Sequence, residues 1–221
     1  MRPLVLLDVD GTLVDSNDLH AMAWVDALRD QRFEADFAAV RPLIGMGGDK
    51  LLPCLTGVEA DSPEGKRISA HRGEIFTERY LPRARAFRGT RALLETLRRT
   101  GFDLHVASSA QREELERLLQ QAELADLLPN RTSSEDVAKS KPDPDILLVA
   151  LQRAKHTPAG AWMLGDTPYD AEAAQRAGVA FVGVLSGGHT REALRPAEAV
   201  YRDPEELLAH LGDSPLANLR S

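Results

Sequence analysis

Along most of this 221-residue chain, short apolar runs that stop at polar or glycine turns alternate with stretches whose apolar positions recur at helical spacing. Leu4-Val5-Leu6-Leu7 ends abruptly at Asp8 and predicts a strand buried on both faces, as in parallel sheets. Residues 102–107 end at Ser108-Ser109, residues 161–164 end at Gly165-Asp166, and residues 180–184 form a further apolar run, so all three read as strands. Between them, Leu93, Leu94 and Leu97 with Arg98-Arg99 lead to Gly101, the pattern of an amphipathic helix with glycine just past its end. Helical spacing recurs over 114–119, 146–154 and 171–177, the last ending at Gly178. Strand and helix in alternation predict an α/β fold with a doubly wound parallel sheet.

Residues 17–85 break the alternation. Leu19, Met22, Trp24, Val25 and Leu28 have helical spacing, as do 51–55 and 68–80, with no convincing strand between them. This stretch reads as a helical insertion after the first strand, with linkers at 14–17 and 81–87. Residues 1–16 and 86–221 then form the core, and 17–85 a separate helical cap.

Composition narrows the class of partner. The net charge is −7 and no basic run is interleaved with aromatics, so a nucleic-acid phosphate track is not expected. The apolar run before Asp8 is far shorter than the ~18 residues of a spanning helix, and no secretory pattern precedes it. A cytoplasmic protein without membrane association is expected. Cys54 is the single cysteine, which excludes an internal disulfide and a cysteine metal cage and makes a small buried hydrophobe its expected role. No apolar stripe calls for a partner copy, so a monomer is expected, with a dimer left open. Only five basic residues are lysine, and two of them lie in Lys139-Ser140-Lys141-Pro142.

In open parallel sheets, ligands bind beyond the carboxyl ends of the strands. Asp8 and Asp10 follow the first predicted strand, Ser108 the second, and Asp166 and Asp170 a later one, while Lys141 precedes that later strand by one helix. Several carboxylates in one crevice repel unless a cation is present. Oxygen ligands suit Mg²⁺, which binds one or two carboxylates and keeps room for water and phosphate. Lys141 adds a compact positive charge able to draw on a phosphoryl oxygen. Carboxylate, hydroxyl, lysine and Mg²⁺ together make a phosphoryl-transfer site. Asp8 would be the nucleophile forming an aspartyl phosphate, and Asp10 would protonate the leaving alcohol and then deprotonate water. Ser108, Ser109, Lys141 and backbone amides at Gly11 and Thr12 would bind the phosphate.

Asp8-Val9-Asp10-Gly11-Thr12-Leu13-Val14-Asp15-Ser16, Val106-Ala107-Ser108-Ser109, Lys141-Pro142-Asp143-Pro144 and Gly165-Asp166 with Asp170 resemble the four ordered motifs of the haloacid dehalogenase-like hydrolases. The resemblance spans nearly the whole chain. It implies a Rossmann-like core, a helical cap and Mg²⁺-dependent phosphatase or phosphomutase activity on a small phosphorylated metabolite. It further implies that Asp8, the Asp10 carbonyl and Asp166 hold Mg²⁺, with Asp170 in support. Asp10 speaks against the dehalogenase branch, whose members do not use a second aspartate there.

Two subgroups compete. Arg41-Pro42-Leu43-Ile44-Gly45-Met46-Gly47 with Asp49 is similar to the cap loop of phosphoglycolate phosphatases, whereas His20 and Trp24 are similar to β-phosphoglucomutases. Gly47-Gly48 stands where the mutases carry a phosphate-binding arginine, which favours hydrolysis, and Lys50 is the candidate replacement for that charge. Each signal also has a plainer reading: Asp170 as a helix cap, His20 as packing at the domain seam, and Ser186-Gly187-Gly188-His189 as an ordinary loop. A non-catalytic receiver that merely accepts phosphate is the rival from another class, but receivers have no helical insertion after the acidic turn.

Overall fold

The computed structural model describes residues 2–220. The first strand, β1 (Leu4–Leu7), leads through the acidic turn to a two-residue strand, β2 (Val14–Asp15). Four helices follow: α1 (Asn17–Asp30), α2 (Phe37–Val40), α3 (Gly48–Thr56) and α4 (Pro63–Ile75). The last of them runs on into a π-helical turn, Phe76–Tyr80. The chain then returns through β3 (Arg85–Ala86) to α5 (Thr90–Arg99), β4 (Asp103–Ala107), α6 (Arg112–Gln121) and β5 (Arg131–Thr132). It closes with α7 (Asp145–Ala154), β6 (Ala161–Gly165), α8 (Pro168–Ala177), β7 (Ala180–Val184), β8 (Ala199–Tyr201) and α9 (Pro204–Ala209).

Six strands form one sheet in the order β5-β4-β1-β6-β7-β8, and every neighbouring pair is parallel. The α/β Rossmann-like architecture expected from the alternating pattern is therefore present. Parallel pairing explains why β1 reads as unbroken apolar sequence: Val5 and Leu7 pack with α5 and α6 on one face, Leu4 and Leu6 with α7 and α8 on the other. Because β1 is flanked by β4 and β6, the chain winds outward from it in both directions. The carboxyl end of β1 is thus the switch point where such sheets open a crevice.

Between β2 and β3 the helices bury a core of their own, with Trp24, Val25 and Leu28 of α1 against Val40, Ile44, Leu51, Leu52 and Ile68. Ser62 caps α4 in the usual way, its hydroxyl accepting from the Gly65 amide at 3.0 Å with Pro63 in the first helical turn. The segments 14–17 and 81–87, expected as plain linkers, include a short antiparallel pair in which Val14 lies opposite Ala86 and Asp15 opposite Arg85. Cys54 departs from its expected burial. It lies on an exposed face of α3, whose inward positions are taken by Leu51 and Leu52. No helix among the described residues is long and apolar enough to cross a membrane.

Candidate active site

The turn after β1 carries Asp8 into the crevice. Asp8 is 5% exposed, while Lys141, Asp166 and Asp170 are wholly buried. Lys141 Nζ donates to Asp8 Oδ1 at 2.5 Å and to Asp170 Oδ1 at 2.6 Å, joining the first turn, the 140–143 loop and α8 through one ammonium. Thr12 Oγ1 lies 3.0 Å from Asp8 Oδ2 and 2.8 Å from Asp166 Oδ1. One hydroxyl has one proton, so the pair of carboxyls it bridges is best satisfied when one of them is protonated.

The electrostatics agree with that count. Burial, opposed by Lys141 and assisted by Asp170 and Asp10, pushes the Asp8 carboxyl up to about 7. Burial together with Asp8 and Asp170 holds Asp166 well above the usual carboxylate range, against the hydrogen bonds from Thr12 and Asn17. Burial disfavours the charged form of Lys141, but Asp170 and Asp8 outweigh it and push the ammonium upward. Carboxylate oxygens of Asp8, Asp166 and Asp170 all lie within 4.8 Å of one another, so with Lys141 the cluster has a formal surplus of two negative charges. Beside it, Asn17 Oδ1 is buried without a protein partner. An all-oxygen donor set with this charge fits a divalent hard cation.

Asp170 has a second attachment. Its Oδ2 accepts from the Thr167 amide at 3.1 Å and from the Thr167 hydroxyl at 2.7 Å, and its own amide donates back to Thr167 Oγ1, which completes a capping box on α8. The capping reading and the site reading of Asp170 therefore coincide: Oδ2 starts the helix and Oδ1 holds Lys141.

Asp10 stands apart from the cluster. His20 Nε2–H donates to its Oδ1 at 2.7 Å and Ser16 Oγ donates to the same atom at 2.5 Å, while no hydrogen bond from the described residues reaches Oδ2. Burial raises the Asp10 carboxyl, but His20 and Ser16 outweigh it and hold it below the usual range. Ser16 is the N-cap residue of α1 yet makes no cap bond, because its hydroxyl is spent on Asp10; an absent cap costs a helix about 1 kcal/mol. The His20 ring stacks on Phe76 with centroids 4.0 Å apart.

The other residues singled out from the sequence are distributed as follows. Ser108 is buried, and its hydroxyl accepts from the Ala110 amide at 3.1 Å, an in-loop turn rather than a helix cap. The Gly11 and Thr12 amides donate within the turn, to Val14 and Val9 carbonyls at 2.8 and 3.3 Å. Ser109 and Trp24 border a cavity of about 380 Å³ at the seam between the helical insertion and the core, and Ser109 Oγ has no protein partner. A smaller adjoining cavity of about 50 Å³ is bordered by Asp10, His20 and Trp24. Gly47 and Lys50 border neither; they rest on the 140–143 loop.

The sequence pattern assigned no role to Asn17, Arg72 or Glu114, and marked Arg41 and Gly187 only as members of longer segments. Asn17 Nδ2 donates to Asp166 Oδ2 at 3.0 Å and to the Gly187 carbonyl at 3.3 Å, and Arg41 Nη2 donates to that carbonyl at 2.6 Å. Gly187 itself allows the approach: a Cβ there would fall 1.6 Å from Asp166 Oδ2. The loop expected to be ordinary therefore walls the site. Arg72 of α4 and Glu114 of α6 form an ion pair across the seam, with the guanidinium 5.2 Å from the Trp24 ring centre. The glycine pair after the last apolar strand was the available sign for Gly187; nothing in the periodicity marks Arg72 or Glu114.

A parallel sheet with an acidic, lysine-bridged crevice at its switch point defines a hydrolase of the haloacid dehalogenase-like type, and the family model of that description matches residues 5–184. The chain belongs to the haloacid dehalogenase-like hydrolase family. It is 34% identical over 202 residues to "Probable phosphatase IndB" of Dickeya dadantii (strain 3937), covering 90% of this chain and 87% of that protein. It is 32% identical over 179 residues to a phosphoglycolate phosphatase of Nitrosospira multiformis, covering 79% of each. A hydrolase from Pseudomonas syringae has the same fold, with a TM-score of 0.88 at 30% identity over 96% of this chain and 99% of that one.

Proposed function

We propose that the protein is a Mg²⁺-dependent phosphatase that hydrolyses a phosphate monoester through an aspartyl phosphate on Asp8. The observation that carries this reading is the pairing of a lysine-held, buried Asp8 with a separate Asp10 whose Oδ1 alone is tied down. Asp10, ionised in the resting site, first takes a proton on its free Oδ2 from the monoanionic phosphate ester; Asp8 then attacks phosphorus, the bond from phosphorus to the ester oxygen breaks, and Asp10 passes that proton to the oxygen, releasing the alcohol. Asp10, now a carboxylate, takes a proton from water as the water oxygen attacks phosphorus, and the bond to Asp8 breaks to give orthophosphate. Lys141 balances charge on the phosphoryl oxygens, and Ser108 stands at the carboxyl end of β4 to bond them. Bound Mg²⁺, held by Asp8, Asp166 and the Asp10 carbonyl with Asp170 in support, would supply the charge that keeps Asp8 ionised and shields its attack on an anionic ester.

Residues 17–85 act in this reading as a cap over the crevice, and the 380 Å³ cavity receives the organic part of the substrate. That space greatly exceeds a two-carbon acid, so a larger polar alcohol is the better fit. Lys50, the candidate substitute for a mutase's phosphate-binding arginine, is engaged with Ser140 and Asp143, which supports transfer to water over return to a sugar.

The test is Asp8→Asn with a panel of phosphate esters and Mg²⁺. Loss of phosphate release by at least ~10³-fold, with an unchanged circular dichroism spectrum, is expected. A variant within tenfold of the wild type removes Asp8 as nucleophile.

A further inference from the structure

The loop that carries Lys141 lacks regular secondary structure from Val137 to Pro144, so no ladder of backbone bonds holds it. Besides the bonds of Lys141 itself and one from Arg176, its ties come from the start of α3, in the helical insertion. Lys50 Nζ donates to the Ser140 carbonyl at 2.5 Å and to Asp143 Oδ2 at 2.5 Å. The neighbouring Asp49 accepts from the Ser140 hydroxyl and, at 3.4 Å, from the Ser140 amide. Ser140 precedes Lys141 and Asp143 follows it by two residues, so the grip closes on both sides of the lysine. Charge is matched to each contact: carboxylate against amide and hydroxyl, ammonium against carbonyl and carboxylate.

Two further observations show a built contact. Ser140 is 3% exposed, and a Cβ on Gly47 would lie 2.0 Å from its hydroxyl, so the insertion approaches this loop as closely as a backbone without a side chain permits. On the opposite flank, Arg176 of α8 donates to Asp143 Oδ1 at 3.2 Å, linking the same carboxylate to the helix that carries Asp170. Among the described residues the Lys50 ammonium makes no bond to the insertion's own residues; both of its bonds cross to the core.

We propose that Asp49 and Lys50 are positioning residues that fix the loop around Lys141, so that the placement of the catalytic ammonium depends on the seating of the helical insertion. Lys141 then reaches Asp8 and Asp170 together only while the insertion is docked. Lys50 acts through the loop and makes no contact with substrate. The proposal rests on the phosphatase reading for its kinetic consequence, but its structural half stands separately.

The experiment compares wild type, Lys50→Met, Lys50→Arg and the double variant Lys50→Met/Asp143→Asn, using phosphate release from one ester with Mg²⁺ and hydrogen exchange of the backbone amides of residues 139–144. Lys50→Met is expected to lower kcat about tenfold with KM changed less than about twofold, as for loss of an interaction that matters only in the transition state. Exchange in the loop should accelerate, Lys50→Arg should recover most of kcat, and the double variant should be no worse than Lys50→Met. A raised KM at unchanged kcat would place Lys50 on the substrate and overturn the proposal. Unchanged exchange would overturn it as well. A wild type without turnover would sink the phosphatase reading, and the exchange measurement would still decide this one.

Discussion

Replacing Lys141 by methionine keeps the length of the side chain and removes the ammonium from among three buried carboxylates. That ammonium lies 2.5 Å from Asp8 and 2.6 Å from Asp170. At an effective dielectric constant of about 20, each contact represents roughly 6 kcal/mol of Coulomb attraction. Relief of the ammonium's desolvation and protonation of a carboxyl offset most of it, leaving a net loss of about 3–5 kcal/mol, the range for a buried pair deprived of one member. In a chain of this length the melting temperature should fall by roughly 6–20 °C.

The pH dependence identifies the cause. Without the lysine, the Asp8 carboxyl rises further above its unfolded value of about 3.9. A carboxyl with a raised folded pKa is neutral in both states at low pH and is penalised in the fold once the unfolded chain ionises. The variant's deficit should therefore shrink toward pH 4 and widen as pH rises through neutrality. Thermal unfolding followed by circular dichroism in EDTA, at about pH 5 and about pH 8, reads this directly; Mg²⁺ should raise the variant's Tm at the higher pH more than the wild type's. A Tm within about 2 °C of wild type at pH 8, or a deficit equal at both pH values, would refute the charge argument.

Two other outcomes follow from the same kind of reasoning. Burial, with Arg153 adding to it and Asp136 opposing, pulls the His105 imidazole on β4 down to about 4. Its stabilising contribution is present above the unfolded value of about 6.5 and is lost as pH falls toward 4, a change of about 3 kcal/mol. Urea unfolding at pH 7.5 and 4.5 should show a smaller acid loss in His105→Gln than in wild type, and parallel profiles would contradict this origin. In Gly187→Ala, the added carbon 1.6 Å from Asp166 Oδ2 must displace that carboxylate, so the Mg²⁺ concentration for half-maximal activity should rise roughly 10–100-fold. An unchanged Mg²⁺ requirement would mean that Asp166 takes no part in holding the metal.

The strands were legible because parallel pairing buries both faces: Leu4 to Leu7 could be read as a strand without knowing its neighbours. Asp8, Lys141 and Asp166 were legible because each follows or precedes such a run at a place where a sheet opens. Two-residue strands such as β2 and β3 have no period to detect and exist only as partners of one another. Cys54 was misleading because residue type suggested burial while helix phase put it on an exposed face, and the partners of Lys50 lie in a loop about 90 residues away that no local pattern points to. Arg72 and Glu114 belong to helices far apart in sequence, and only docking of the insertion makes them a pair.

The small pairing of β2 with β3 has a consequence for how such a protein can change. Seen from the sheet, the insertion leaves and re-enters at adjacent points, so four helices occupy the place of a hairpin turn. The entropic cost of a longer connection grows only slowly with its length. Whatever is grafted between those two strands, the core need not be rethreaded, and Asp8, Ser108 and Asp166 keep their places in it. With residues 17–85 acting as the proposed cap, selectivity could be exchanged as a module while the chemistry is inherited. The ties from Asp49 and Lys50 set the limit on that freedom, since a graft unable to remake them would arrive with the lysine loop unfastened.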